Sequence, residues 1–281
     1  MENRQPPRTV LRVRQLQTRL DGAPLERVRA LEAPLARAAA DGVDLVALPE
    51  MFCCPYETPQ FPRLAEPEGG PVWSACAELA ARNGLWLSAG SVPERDGGRV
   101  YNTAYVFDRQ GRQAAKHRKM HLFDIAVDGG QHFRESDTLS AGSAVTTFGT
   151  EFGRLGLCIC YDMRFPELFR LMALEGALAV LVPAAFNFTT GPAHWELTLR
   201  ARALDNQVYC VATAPALDPA ASYHAWGHSL VADPWGALVA QLDDAPGEQT
   251  VELDMARPAQ IRRQLPLLQH RRTDVYTLNG R

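Results

Sequence analysis

Hydrophobic and polar positions along this chain switch repeatedly between the period of a strand and the period of a helix. Thr9-Val-Leu-Arg-Val-Arg-Gln-Leu16 alternates apolar and polar and predicts a strand. Pro24–Ala40 sets Leu25, Val28, Leu31, Leu35 and Ala38 on one face and predicts a helix, kinked or broken at Pro34. Val43–Leu48 is a short apolar run, expected as a buried strand that delivers Pro49-Glu50 at its end. Residues 52–70 read as a Pro- and Gly-rich loop, and Pro71–Asn83 as a helix stopped by Asn83-Gly84. Leu85–Val92 and Val100–Asp108 read as strands about the turn Asp96-Gly-Gly98, and Gln113–Arg118 leads out toward Lys119. Met120–Ser143 has no strong period, and a long irregular segment in a compact domain is usually functional.

The second half repeats the alternation. Strands are expected at Val145–Phe148, Arg154–Cys160, Ala177–Val182, Gln207–Ala214, Gly227–Ala232, Ala237–Leu242 and Glu248–Leu253. Helices are expected at Pro166–Gly176, Pro192–Asp205 and Met255–Gln264. This order predicts an α/β fold, and the apolar strands ask for helix layers outside packed sheets. No linker or repeat divides residues 1–281, so one domain is expected, with a frayed end over about 1–8 and an extended tail over about 265–281.

Composition narrows the function classes. A net charge of −3 supplies no electrostatic reason for nucleic acid or an anionic membrane as partner. The longest apolar run, Ala177–Phe186, contains Pro183 and is too short to span a bilayer. Arginines run through Met1–Arg14, against a secretory signal, so the cytoplasm is the expected location. The six cysteines lack the spacing of a disulfide framework, and Cys158-x-Cys160 is too tight for the usual zinc site.

Candidate chemistry centres on Gly153–Glu167, a strand-to-helix stretch with Cys160 at the junction and Pro166 placed to open the helix. A thiol there needs a base or a cation, because near neutrality it is mostly protonated. None of the seven histidines lies in a Cys–His pattern, and neither a serine-hydrolase elbow nor a phosphate loop is present. Glu50, at the end of a buried strand, fits a general base of raised pKa, but on position alone a carboxylate capping a turn or pairing with an arginine is the favoured reading. The chain has 27 arginines and only two lysines, Lys116 and Lys119. A retained lysine suits a site that needs a compact, aimed ammonium, although chance survival explains the count as well.

Pro49-Glu50, Lys119-Met-His-Leu-Phe-Asp124 and Gly156-Leu-Cys-Ile-Cys-Tyr-Asp-Met-Arg-Phe-Pro-Glu167 together resemble the nitrilase superfamily of carbon–nitrogen hydrolases. The likeness continues in Phe186–Glu196, Arg200–Tyr209, Trp226–Ser229 and Asp233–Gly236, from about residue 9 to residue 276. It implies a four-layer α-β-β-α sandwich, a homodimer reached by the C-terminal tail, and no metal or cofactor. It implies a catalytic set of Glu50, Lys119 and Cys160 with a second glutamate at Glu135, and an oxyanion held by Lys119 and the backbone N–H of Tyr161. The reaction implied is attack on an amide carbon, loss of ammonia and hydrolysis of a cysteine thioester.

Within the superfamily, His121–Ile125, Phe186–Gly191 and Asp205–Gln207 look most like omega-amidases, which hydrolyse the terminal amide of α-keto acids such as α-ketoglutaramate and α-ketosuccinamate. Amidases of deaminated glutathione or N-carbamoyl compounds, and a non-catalytic binding module on the same fold, are the alternatives. For a small-molecule amide the expected pocket is Tyr56, Phe123, Phe186 and Asn187, with Thr189, Thr190 and the helix beginning near Pro192 as carboxylate donors. Arg164 and Arg202 are expected to pair with Glu167 and Asp205. Cys53 and Cys158 depart from the family pattern and place further thiols near the site.

Overall fold

The computed structural model describes residues 8–19 and 22–279. Its first half runs β1 (Val10–Gln17), α1 (Pro24–Ala30), α2 (Glu32–Ala40), β2 (Leu45–Ala47), α3 (Gln60–Leu64), α4 (Pro71–Asn83), β3 (Trp86–Asp96), β4 (Arg99–Phe107) and β5 (Gln113–Arg118). A small hairpin, β6 (Asp124–Ala126) and β7 (His132–Arg134), joins it to β8 (Thr147–Thr150), β9 (Gly153–Leu157), α5 (Pro166–Leu174), β10 (Ala179–Pro183) and α6 (Gly191–Asn206). The chain closes with β11 (Tyr209–Thr213), β12 (Leu230–Ala232), β13 (Leu238–Gln241), β14 (Gly247–Asp254) and α7 (Arg257–Gln264).

Two six-stranded sheets result, ordered β14-β1-β2-β3-β4-β5 and β13-β12-β11-β10-β9-β8. Strands β1, β2 and β3 are parallel, as are β9, β10 and β11, and the outer pairs are antiparallel. Period-2 alternation sorts the side chains. Leu11, Val13, Leu45 and Ala47 point from the first sheet into a core shared with Leu155, Leu157 and Leu181 of the second. On the far face of the first sheet, Val46 and Leu87 pack with Val28, Leu35 and Leu79 of α1, α2 and α4. On the far face of the second, α5 and α6 supply Met172, Trp195 and Leu199 to its core. The layers are therefore α-β-β-α, as expected.

The sheet interface is not wholly apolar. The Gln15 amide, fully buried on β1, donates to the Ala212 carbonyl at 2.7 Å and to Thr213 Oγ1 at 3.1 Å. Such a pair fixes register between sheets, because a slip would strand a buried amide without partners.

Several elements depart from the sequence expectation. The helix over 24–40 is two helices meeting at Leu31, because Pro34 has no N–H to bond the carbonyl of residue 30. The 52–70 loop contains the short α3, and Met120–Ser143 contains the β6–β7 hairpin and a 3₁₀ turn, Glu135–Asp137. Strand β9 stops at Leu157 rather than reaching Cys160, which instead opens a 3₁₀ turn, Cys160–Arg164. Residues 265–279 form successive turns rather than an extended tail, with His270 N bonding Pro266 O and Tyr276 N bonding Arg272 O. The expected frayed end lies outside the described residues except for Arg8, which is tied to Asp44 at 2.8 Å.

Candidate active site

Four chain segments that follow strand ends converge between the sheets. Glu50 follows β2, Lys119 follows β5, Cys160 follows β9 and Ala185 follows β10. Each arrives by a backbone device. After β2 the Pro49 carbonyl comes so close to β3 that a side chain at Gly90 would run into it, and Gly90 has φ +57° at a bulge in β3. That bulge lets Ser91 N bond Pro49 O at 3.3 Å and Ser91 Oγ accept from Met51 N at 3.0 Å, which brackets Glu50. Lys119 is bracketed likewise, its N–H on Asn102 O and its carbonyl under Gly142 N, both at 2.8 Å. Cys160 has φ +45°, an uncommon conformation for a residue with a side chain.

The side chains form one buried cluster. Lys119 Nζ lies 2.8 Å from Glu50 Oε1 and 2.9 Å from Glu135 Oε1, and all three residues are 0% exposed. Tyr56 donates to Glu135 Oε1 at 2.7 Å and lies 3.2 Å from Glu50 Oε1. Asn102 Nδ2 donates to Glu50 Oε1 at 2.8 Å, and the Phe123 N–H to Glu135 Oε2 at 2.7 Å. Among the described residues Glu50 Oε2 has no partner with hydrogen-bond geometry, and the Cys160 thiol is close enough to act on this carboxylate. The Ala185 backbone faces the same sulfur and pulls its pKa down.

Burial and charge set the protonation states. Burial draws the Lys119 ammonium down, but Glu135 and Glu50 outweigh it and raise its pKa above the ordinary lysine value, so Lys119 is a cation. Burial raises Glu50, Lys119 pulls it back and Glu135 pushes it up again, leaving it above an ordinary carboxylate. Burial and Glu50 push the Cys160 thiol well up against the pull of Lys119, so the resting group is a thiol that needs a base.

Aromatic rings wall the cluster. The Tyr56 ring lies 4.5 Å from Tyr223 and 5.3 Å from Phe133, and Phe123 lies 5.9 Å from Phe133 and 5.3 Å from Tyr161. Tyr56 and Phe123 therefore stand at the triad. Phe186 is buried one step away, 4.9 Å from Trp195 and under the Arg164 guanidinium. Asn187 is committed to the loop before α6: its Oδ1 accepts from the N–H groups of Thr189 and Thr190, and its Nδ2 reaches Gln131. Thr189 is exposed and Thr190 half-buried, and their backbone donors are already taken by Asn187 Oδ1.

Arg202 pairs with Asp205 at 3.9 Å and also caps the carbonyls of Met163 and Arg164. Arg164 departs from its expected pairing. Among the described residues it forms no ion pair with Glu167, lies over the rings of Tyr161 and Phe186, and keeps a buried Nε without a partner. Residues that the sequence reading passed over are Asn102, Phe133, Tyr223 and Asp162. Phe133 sits two residues before Glu135 and Asp162 two after Cys160, which is a proximity signal; Tyr223 has none, being brought in by a loop after β11.

A buried thiol, an aimed ammonium and two carboxylates at strand ends of an α-β-β-α sandwich suit attack on a carbonyl carbon. The chain belongs to the carbon–nitrogen hydrolase family, whose sequence profile matches residues 11–263, and it is an amidohydrolase of the nitrilase superfamily. Among its relatives, the mouse omega-amidase NIT2 is 48% identical over 247 residues, covering 87% of this chain and 88% of the relative. The human omega-amidase NIT2 is 46% identical over 244 residues, with the same coverage. The crystal structure of Nit3 from Saccharomyces cerevisiae, a member of branch 10 of the nitrilase superfamily, matches with a TM-score of 0.86 and 37% identity over 95% of this chain and 98% of that one.

Proposed function

We propose that this protein is an omega-amidase, hydrolysing the terminal amide of a short α-keto dicarboxylic acid through a thioester on Cys160. The observation that carries the reading is the single ammonium of Lys119 held between Glu50 and Glu135 beside the thiol, with all four groups buried. Glu50 takes the Cys160 proton as the sulfur attacks the amide carbon. The oxyanion forms against Lys119 Nζ and the N–H of Tyr161, at the start of the 3₁₀ turn Cys160–Arg164, where leading N–H groups have no acceptor within the turn. Glu50 returns the proton to the departing nitrogen, and ammonia leaves as the C–N bond breaks. A water molecule then gives its proton to Glu50 and attacks the thioester, and the released thiolate recovers that proton as the acid departs. Glu135 holds Lys119 and the Phe123 backbone in place throughout.

Such a substrate carries a free carboxylate beyond the amide. Arg164 fits that charge, since it stands four residues from the thiol, lies over two rings and has a buried Nε without a partner among the described residues. Ammonia release from α-ketoglutaramate, α-ketosuccinamate, deaminated glutathione, N-carbamoyl-β-alanine and a simple nitrile tests the reading. Turnover of the first two is expected to dominate, and Arg164→Leu is expected to raise their KM about tenfold or more. No preference for the two keto acid amides would sink the omega-amidase assignment.

A further inference from the structure

Asp162 is fully buried, and the chemistry above does not use it. Its two oxygens gather five donors from three stretches of chain. Oδ1 accepts from Met120 N at 3.2 Å, His121 N at 2.9 Å and His121 Nδ1 at 2.8 Å. Oδ2 accepts from Ile159 N at 3.0 Å and His117 Nε2 at 3.0 Å. Two of these donors are backbone groups directly after Lys119, and two are the histidine rings at positions two before and two after it. The fifth is the residue before Cys160. One carboxylate thus ties the turn that carries the thiol to the loop that carries the ammonium.

The rings are themselves fixed. His117 Nδ1 lies 2.9 Å from the hydroxyl of Thr146, and its Nε2 lies 3.0 Å from Asp162. His121 stacks on Phe165 with ring centroids 3.6 Å apart, and Phe165 caps the same 3₁₀ turn. The left-handed backbone of Cys160 needs its surroundings to hold it, and the bond from Ile159 N to Asp162 spans that residue.

We propose that Asp162 is a positioning residue, joining the Cys160 turn and the Lys119 loop into one rigid unit so that thiol and ammonium meet the same carbonyl. This rests on the triad reading given above. An asparagine cannot substitute, because each Asp162 oxygen receives at least two donors. Whichever way an amide turns, its NH₂ faces N–H groups.

The test compares Asp162→Asn with Asp44→Asn, a buried carboxylate that holds Arg8 and Arg109 away from the site. Two rates are read per folded protein: turnover of the best amide substrate, and alkylation of Cys160 by iodoacetamide. Asp162→Asn is expected to lower kcat about 100-fold and to slow alkylation in step. Its KM should stay within about threefold of the parent. Asp44→Asn should leave both rates unchanged. A folded Asp162→Asn that matches Asp44→Asn on both readouts overturns the assignment.

Should Asp162→Asn fail to fold, His121→Phe decides. It keeps the stack on Phe165, removes one donor and is expected to lower kcat about tenfold; a value within about twofold of the parent overturns the proposal. Cys160→Ala run in parallel separates the two readings. Turnover by that variant would defeat the triad itself, whereas its inactivity beside a normal Asp162→Asn defeats only the role of Asp162.

Discussion

Lys119 shows what a single residue type decides. Its ammonium touches two carboxylates at 2.8 and 2.9 Å inside a fully buried cluster. A guanidinium there is planar, larger and cannot point all its charge at one oxyanion. Lys119→Arg and Cys160→Ala are each expected to reduce turnover at least about 1,000-fold, measured as ammonia release. Tyr56→Phe removes one donor shared by Glu135 and Glu50, and a loss near 1.5 kcal/mol corresponds to about a tenfold fall in kcat. Glu50 must be ionised to take the thiol proton, and its pKa stands above an ordinary carboxylate because of burial, against the pull of Lys119. Activity is therefore expected to rise with pH through that raised value, and the acid limb of kcat/KM should lie above the pH of a free glutamate. An acid limb at or below the free value would contradict Glu50 as the base.

At the scale of elements, the site depends on where strands stop. Strand β3 bulges at Gly90 to admit the Pro49 carbonyl, and only a residue without a side chain fits. Gly90→Ala is expected to destabilise the fold by about 1–3 kcal/mol and to lower activity beyond the loss of folded protein, because Glu50 moves with the bulge. Urea midpoints and activity per folded molecule check the two parts. Strand β9 ends three residues short of Cys160, since Asp162 takes the Ile159 N–H that a ladder would otherwise use.

At the scale of the molecule, acid stability follows from carboxylates whose partners exist only in the fold. Burial pushes Asp162 up, but hydrogen bonds from His117 and His121 outweigh it and hold its pKa below that of an unfolded aspartate. Its contribution is complete above the unfolded value of about 4 and is lost as pH falls from there toward the depressed folded value. Unfolding midpoints measured from pH 7 to pH 3 should fall less steeply below pH 4 in Asp162→Asn than in the parent. The dimer implied by the family resemblance is a proposal at this scale. Exposed Leu174 on α5, Leu197 and Leu204 on α6, and Val275 and Tyr276 in the tail supply apolar surface for it. Light scattering is expected to return twice the chain mass, and the chain mass alone would refute it.

The alternation of strand and helix, the buried runs feeding Glu50 and Cys160, and the scarcity of lysine were all legible along the chain. They express local periodicity and residue chemistry, which a linear pattern carries in full. The candidate triad was legible too, but through motif likeness rather than through spacing, since Glu50, Lys119 and Cys160 are far apart in sequence. Only the tertiary structure decided the rest. It stacked Tyr223 on Tyr56, turned Arg164 away from Glu167, spent the Thr189 and Thr190 N–H groups on Asn187, and set Asp162 between two histidines. The Asn187 bonds are local to one loop, but the others depend on segments brought together by strand order and sheet packing, and helical or strand period says nothing about which loops will meet above a sheet.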